Sequence, residues 1–184
     1  MTTIEATPHT IAPALRRLYF VRAAFAVVWA VLMFATNSHL GPISVALIVL
    51  YPLFDVAAAV VDVRSTTTPA RGLYVNMAIS LLAAIGLAIA CASGVPAVLR
   101  VWGAWAVVSG LIQLIVAIGR RKLGGQWPMI LSGGLSVLAG LSFVAGASAD
   151  NPKLTNVAGY AVLGGIFFLI SAIRLGRQQA GAVS

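Results

Sequence analysis

Asp55 is the residue whose setting most demands a chemical explanation. It lies in an apolar stretch from about Pro42 to Val63, about eight residues before the stretch reaches its basic end at Arg64. On a helix that is about 12 Å below the membrane surface. An ionised carboxylate at such depth costs on the order of 2.5 kcal/mol or more unless it is paired, solvated or protonated. Two chemistries answer this. One is a proton or ion relay, in which the acid exchanges a proton with water that reaches it; the other is a buried ion pair, completed by amide hydrogen bonds, that sets how helices pack. The ion pair is the favoured account. Its expected cation is Arg22, on the preceding apolar segment, because antiparallel neighbours bring the two residues to similar depth and a guanidinium can bridge the remaining gap. Arg22, Asn76 and Ser132 lie about a turn nearer the basic end, counted from their own helix ends, and Gln113 stands opposite Asp55 when the chain is aligned with itself, so Arg22, Asp55, Asn76, Gln113 and Ser132 form a loose candidate polar layer. Pro52, three residues before the acid, is expected to kink its helix and free a carbonyl.

The elements that must hold this layer are apolar helices. Of 184 residues, 60% are hydrophobic and only 9% charged, far below the roughly 25% charged residues of a soluble domain. Six segments are long enough to cross a hydrocarbon core of about 30 Å: Leu18 to Thr36, Pro42 to Val63, Leu73 to Ser93, Ala97 to Ile118, Trp127 to Ala147 and Asn156 to Ile173. The short alternating strands of a membrane barrel do not occur. The fold class is therefore all-α integral membrane.

The net charge of +8 is distributed along one edge. Arg16, Arg17, Arg22, Arg64, Arg71, Arg120, Arg121, Lys122, Arg174 and Arg177 fall near one set of helix ends, against only Arg100 and Lys153 at the other. That asymmetry places both termini and the two basic loops in the cytoplasm. Anionic lipid headgroups explain the basic edge, and nucleic acid is not needed as a partner.

A unit of about 55 residues recurs, from about Arg16 to 70, Arg71 to 125 and Gln126 to Arg177, flanked by tails at 1–15 and 178–184. Trp105 to Ile118 matches Tyr160 to Ile173 at nearly every position, and Arg16-Arg17-Leu18-Tyr19 echoes Arg71-Gly72-Leu73-Tyr74. Each unit holds two crossings, so the three copies point the same way, which predicts three parallel hairpins about a pseudo-threefold axis rather than an inverted repeat. Aligning Pro52 with Gly110 sets Asp55 against Gln113 and Phe168. Helices in lipid associate through small residues that permit close approach. Gly86, Gly110, Ser136, Gly140 and Gly165 are the expected packing positions, with Gly86 taken as the counterpart of Gly140. Tyr19, Tyr74 and Trp127 at one edge and Trp102 and Trp105 at the other are expected to anchor the interfaces. Asp62, two residues before Arg64, is expected to be an ordinary interfacial acid.

Catalytic patterns are not found. His9 and His39 are predicted on opposite sides of the membrane, and the lone Cys91 cannot make an intrachain disulfide. No nucleophile stands with a base, no phosphate-binding loop occurs, and Gly133-Gly134 lies inside a helix. The expectation is a protein that is not an enzyme, with no cofactor and no metal. The first fifteen residues have no apolar core of a signal peptide and are expected to be a flexible tail.

The stretch from Arg100 to Phe143 resembles the HdeD-like membrane proteins. It carries Val101-Trp102-Gly103-Ala104-Trp105, Ser109-Gly110, Gln113, Arg120-Arg121-Lys122 and Gln126-Trp127-Pro128 followed by the Ser132 to Gly140 ladder. The resemblance implies short two-helix repeats, a bacterial inner-membrane location and an association with acid resistance or stress. It transfers no catalytic residues. The first repeat departs from it, with Tyr51-Pro52 and Asp55 where the second has Ser109-Gly110 and Gln113. Two functions follow: a non-enzymatic inner-membrane protein acting on lipids, a membrane-protein partner or a second copy of itself; and, as the alternative, a small transporter or proton-coupled permeation protein centred on Asp55.

Overall fold

The structure, a computed structural model, describes residues 8–36, 39–65, 70–124 and 126–181, with the side chains of 8–12 and 178–181 excepted. Six long helices follow one another: α1 (Pro8–Ala35), α2 (Pro42–Ser65), α3 (Arg71–Cys91), α4 (Val95–Gly119), α5 (Trp127–Gly146) and α6 (Thr155–Gly181), with one short 3₁₀ turn, Arg121–Leu123, between α4 and α5. All six contain stretches long and apolar enough to span a membrane. Helix is the form a lipid-embedded chain must take, because every backbone donor and acceptor then finds a partner within its own segment. Only 33–39% of each spanning stretch is buried in the bundle. The rest is aliphatic surface such as Val31, Leu82, Ile115 and Leu138, each more than half exposed, as lipid contact requires.

Both ends of the chain are more helical than the sequence suggested. Helix α1 begins at Pro8, so the expected tail is helical from that residue, and Leu15 is buried against α6 neighbours such as Leu175. Helix α6 continues to Gly181. Residues 1–7, with Glu5, the triple threonine at 66–68 and the last three residues lie outside the described residues, as does the side chain of His9. Pro52 stays inside an unbroken α2. Gly94 turns the chain into α4 at φ 93°, a left-handed conformation that a side chain would strain.

Each helix packs on its neighbours in sequence, and α6 closes against α1. The most extensive interfaces are α4 with α5, α1 with α6, and α2 with α3. Glycine explains the first. A Cβ added to Gly103 would stand 2.5 Å from the Gly140 carbonyl oxygen, one on Gly140 2.5 Å from that of Gly103, and one on Gly110 2.9 Å from that of Gly133. Backbone lies on backbone here, which only residues without side chains allow. Gly165 plays a looser version of the role between α6 and α1, its added Cβ meeting the Ala26 Cβ at 3.2 Å. Gly86 meets a side chain, its added Cβ standing 3.3 Å from Val101 Cγ1 of α4, where Gly140 meets backbone.

At the end of the bundle away from the basic loops, the interior is an aromatic and aliphatic core. Trp29 and Trp102 stack with centroids 5.5 Å apart, Trp102 meets Trp105 edge-on at 5.4 Å, and Ile48, Leu87, Val98 and Val157 fill the spaces around them. Trp102 is wholly buried and Trp105 nearly so. They are core residues, not the interfacial anchors expected. Tyr19 is buried as well, whereas Tyr74 and Trp127 do face outward. In each corrected case the ring packs against other helices of the bundle instead of the headgroup layer, because the ring of six helices turns those positions inward.

Candidate functional site

Beneath the aromatic core the helices part around a polar cavity of 110 Å³, on the order of several waters in capacity. Helix α2 contributes Tyr51, Asp55, Ala59 and Asp62 to its wall, α4 contributes Trp105, Ser109, Gln113 and Arg120, and α6 contributes Tyr160, Gly164 and Phe168. Tyr51, Asp55 and Ala59, Trp105, Ser109 and Gln113, and Tyr160, Gly164 and Phe168 each recur at i, i+4 and i+8, the spacing that puts side chains on one face of a helix.

Asp55 is the centre of the deep end. It is 6% exposed. The Arg22 guanidinium donates to Oδ1 as the sequence suggested, and Asn76 Nδ2 donates to Oδ2 at 2.6 Å. A third donor was missed: Ser80 Oγ, at 2.8 Å from Oδ2, itself accepts a hydrogen bond from Trp105 Nε1 at 3.0 Å. The carboxylate is thus held by α1 and α3, and through Ser80 by α4. A charge so buried is tolerable only when paired and hydrogen-bonded in this way. The Arg22 side chain keeps 20% of its surface accessible, and its guanidinium carbon lies 4.5 Å from the centroid of the Phe168 ring, a cation–π contact.

The other two members of the expected layer play different parts. Gln113 Nε2 donates to the Met129 carbonyl at 3.0 Å, tying α4 to α5. Ser132 lines the cavity, and its carbonyl accepts from Ser136 Oγ at 2.8 Å; Ser136 Oγ in turn accepts from the Tyr160 hydroxyl at 2.8 Å. Neither Gln113 nor Ser132 hydrogen-bonds to Asp55. Along the cavity wall Tyr51, Trp105 and Tyr160 lead the stripes of α2, α4 and α6, and Asp55, Ser109 and Gly164 follow them one helical turn on.

A second ion pair guards the basic end. Arg120 Nη1 is 2.8 Å from Asp62 Oδ2, with both side chains nearly buried. Asp62 is therefore not an ordinary interfacial acid. Burial alone would lower the Arg120 value, but the hydrogen bond and charge of Asp62, with a smaller contribution from Tyr19, outweigh it and hold the guanidinium above its ordinary pKa. Tyr19 donates to Gln126 Oε1 at 3.4 Å, and Gln126 Nε2 donates to the Gly124 carbonyl at 2.9 Å. The signal for Asp62 was present in the sequence: it follows Asp55 by two helical turns and so shares its inward face. For Ser80 the signal was its place one turn after Asn76. Asp62→Ala is expected to lower stability by about 3 kcal/mol, the lower end for removing one partner of a buried ion pair, since Arg120 stands at the end of α4 on the cavity wall. Thermal melting in detergent measures this, and a variant that melts with wild type would show that the pair does not hold α2 to α4.

Among the described residues no group of three or more His, Cys, Asp or Glu is placed to hold a metal ion. The polar groups of the cavity are ion pairs, hydroxyls and amides; they can hydrogen-bond a small guest or water, or pass a proton. No protein-family model matches the chain, and neither a curated protein nor a solved structure does.

Proposed function

We propose that this chain is a non-enzymatic protein of the bacterial inner membrane, with both termini in the cytoplasm, that acts by binding membrane lipids or other membrane components and serves the stress response of the HdeD-like proteins it resembles. The carrying observation is the polar cavity at the basic-loop end, capped by the Trp29, Trp102 and Trp105 core at the other. A chamber closed at one end suits binding better than free passage. The charge asymmetry supports the orientation, because basic loops are retained on the cytoplasmic side.

The three same-facing repeats belong to this proposal. Their support is a recurring contact: Gly110 approaches Gly133 and Ser136, and Gly165, one repeat later, approaches Ala23 and Ala26, which stand two repeats before Gly133 and Ser136. Such cyclic recurrence is what three hairpins around one axis produce.

One observation favours the transport alternative, namely that the cavity reaches Asp55 and Arg22. Proton flux into proteoliposomes under an imposed pH gradient separates the two. The binding reading expects flux no greater than that of empty vesicles, for wild type and Asp55→Asn alike. Flux that wild type supports and Asp55→Asn abolishes would replace it with proton-coupled permeation.

A further inference from the structure

The polar cavity backs onto an apolar groove of 380 Å³ between α5 and α6. The two hollows share a wall made of Ser132, Ser136, Tyr160 and Gly164. The mouth of the groove faces lipid, since its lining residues Leu138 and Leu163 are 64% and 55% exposed. Helices α5 and α6 are held apart more than α4 and α5: a Cβ on Gly164 would meet nothing within 4 Å. What crosses the gap at the shared wall is the hydrogen bond from the Tyr160 hydroxyl to Ser136 Oγ. From Ser132 to Phe143 along α5 the groove runs about 16 Å at helical rise, close to half of a hydrocarbon core of about 30 Å. It leads away from the basic-loop end, so a chain lying in it with its head in the cavity has the orientation of a lipid of the basic-side leaflet.

The chemistry of the cavity selects the head. Arg22 is paired with Asp55 and Arg120 with Asp62, so the wall offers no uncompensated charge to an ionised headgroup. Burying one would cost its hydration without return. A hydroxylated head, in contrast, can exchange water for the hydroxyls of Ser132, Ser136 and Tyr160. We infer that groove and cavity together form a lateral binding site for a single-chain amphiphile with a compact uncharged hydroxylated head, of the monoacylglycerol class, whose head enters past the Tyr160–Ser136 bond. The inference rests on the lipid-binding reading and adds to it the class of ligand and the point of entry.

Native mass spectrometry of the whole protein, titrated with a long-chain 1-monoacylglycerol, with the fatty acid of the same chain and with a diacyl phosphatidylglycerol, tests it. Wild type is expected to bind the monoacylglycerol saturably and in preference to the other two. Gly164→Leu fills the portal where no protein atom stands, and is expected to weaken that binding about tenfold or more without lowering the melting temperature. Gly134→Leu, equally free of neighbours and lining neither hollow, should bind as wild type does. If Gly164→Leu fails to fold, Leu138→Trp obstructs the lipid-facing mouth instead and carries the same expectation. Binding that is indifferent to the obstructing variant overturns the site. Preference for the fatty acid or the diacyl lipid, with the same sensitivity at Gly164, overturns the ligand class but leaves the lipid-binding reading standing. No saturable binding of any of the three overturns both.

Discussion

Gly140→Leu is expected to abolish the native bundle. A side chain at this position meets the Gly103 carbonyl oxygen at 2.5 Å and the Val107 backbone nitrogen at 2.8 Å, so relief requires α4 and α5 to separate rather than a rotamer to adjust. Overpacking a core costs about 1–3 kcal/mol when side chains can give way, and more when they cannot. Because α4 and α5 form the most extensive interface of the bundle, their separation removes the contacts that seat both Gln113 on Met129 and Gly110 on Ser136. Thermal unfolding and size-exclusion chromatography in detergent measure the effect. Gly103→Leu should behave alike, since the two glycines face each other, and Gly164→Leu serves as the contrast because its Cβ enters open space. A Gly140→Leu protein that melts with wild type would mean that these helices do not approach at their backbones.

The second large effect concerns the deep ion pair. Asp55→Ala leaves Arg22, Asn76 and Ser80 without the acceptor on which they converge. Breaking one side of a buried pair costs about 3–5 kcal/mol; the lower end applies here, because Arg22 retains contact with the cavity. Asp55→Asn keeps the shape and one acceptor oxygen and should lose less. Arg22→Met combined with Asp55→Leu removes both charges and should recover most of the stability lost by Asp55→Ala, because an apolar pair of similar volume needs no compensation. The melting temperatures of the three variants decide the matter. A double variant as unstable as Asp55→Ala would show that the hydrogen bonds of Asn76 and Ser80, not the charge pair, hold α2 to its neighbours.

Much of this site was legible from the chain. Arg22 and Asn76 were placed near Asp55 by counting residues from helix ends, and the antiparallel order of the first two helices named Arg22 as the partner. Depth is a one-dimensional quantity, and the chain reports it well. Gln113, brought in by aligning the chain with itself, and Ser132, brought in by depth, found other partners, because azimuth around the bundle depends on how the helices rotate against one another. The same gap explains Trp102, Trp105 and Tyr19. Their depth suited interfacial anchoring, yet their azimuth turned them inward.

The glycines show the limit from another side. Small residues at Gly110, Ser136, Gly140 and Gly165 announced close packing, but not which helix each would meet. That Gly103 faces Gly140, and Gly133 faces Gly110, entered only when backbone was found against backbone.

What the amino-acid sequence determined by itself is the number of helices long and apolar enough to cross a membrane, the place of each polar group along its helix and the set of helix ends that carries the basic charge, since these follow from hydrophobic length and composition along one axis. The tertiary structure decided what meets what: that α4 packs most extensively on α5 and α1 on α6, that Asp62 finds Arg120 across the bundle, and that α5 and α6 leave a groove beside the cavity. Those outcomes depend on rotation and spacing between helices, which are set by a balance of many weak packing contacts that no stretch of chain contains alone.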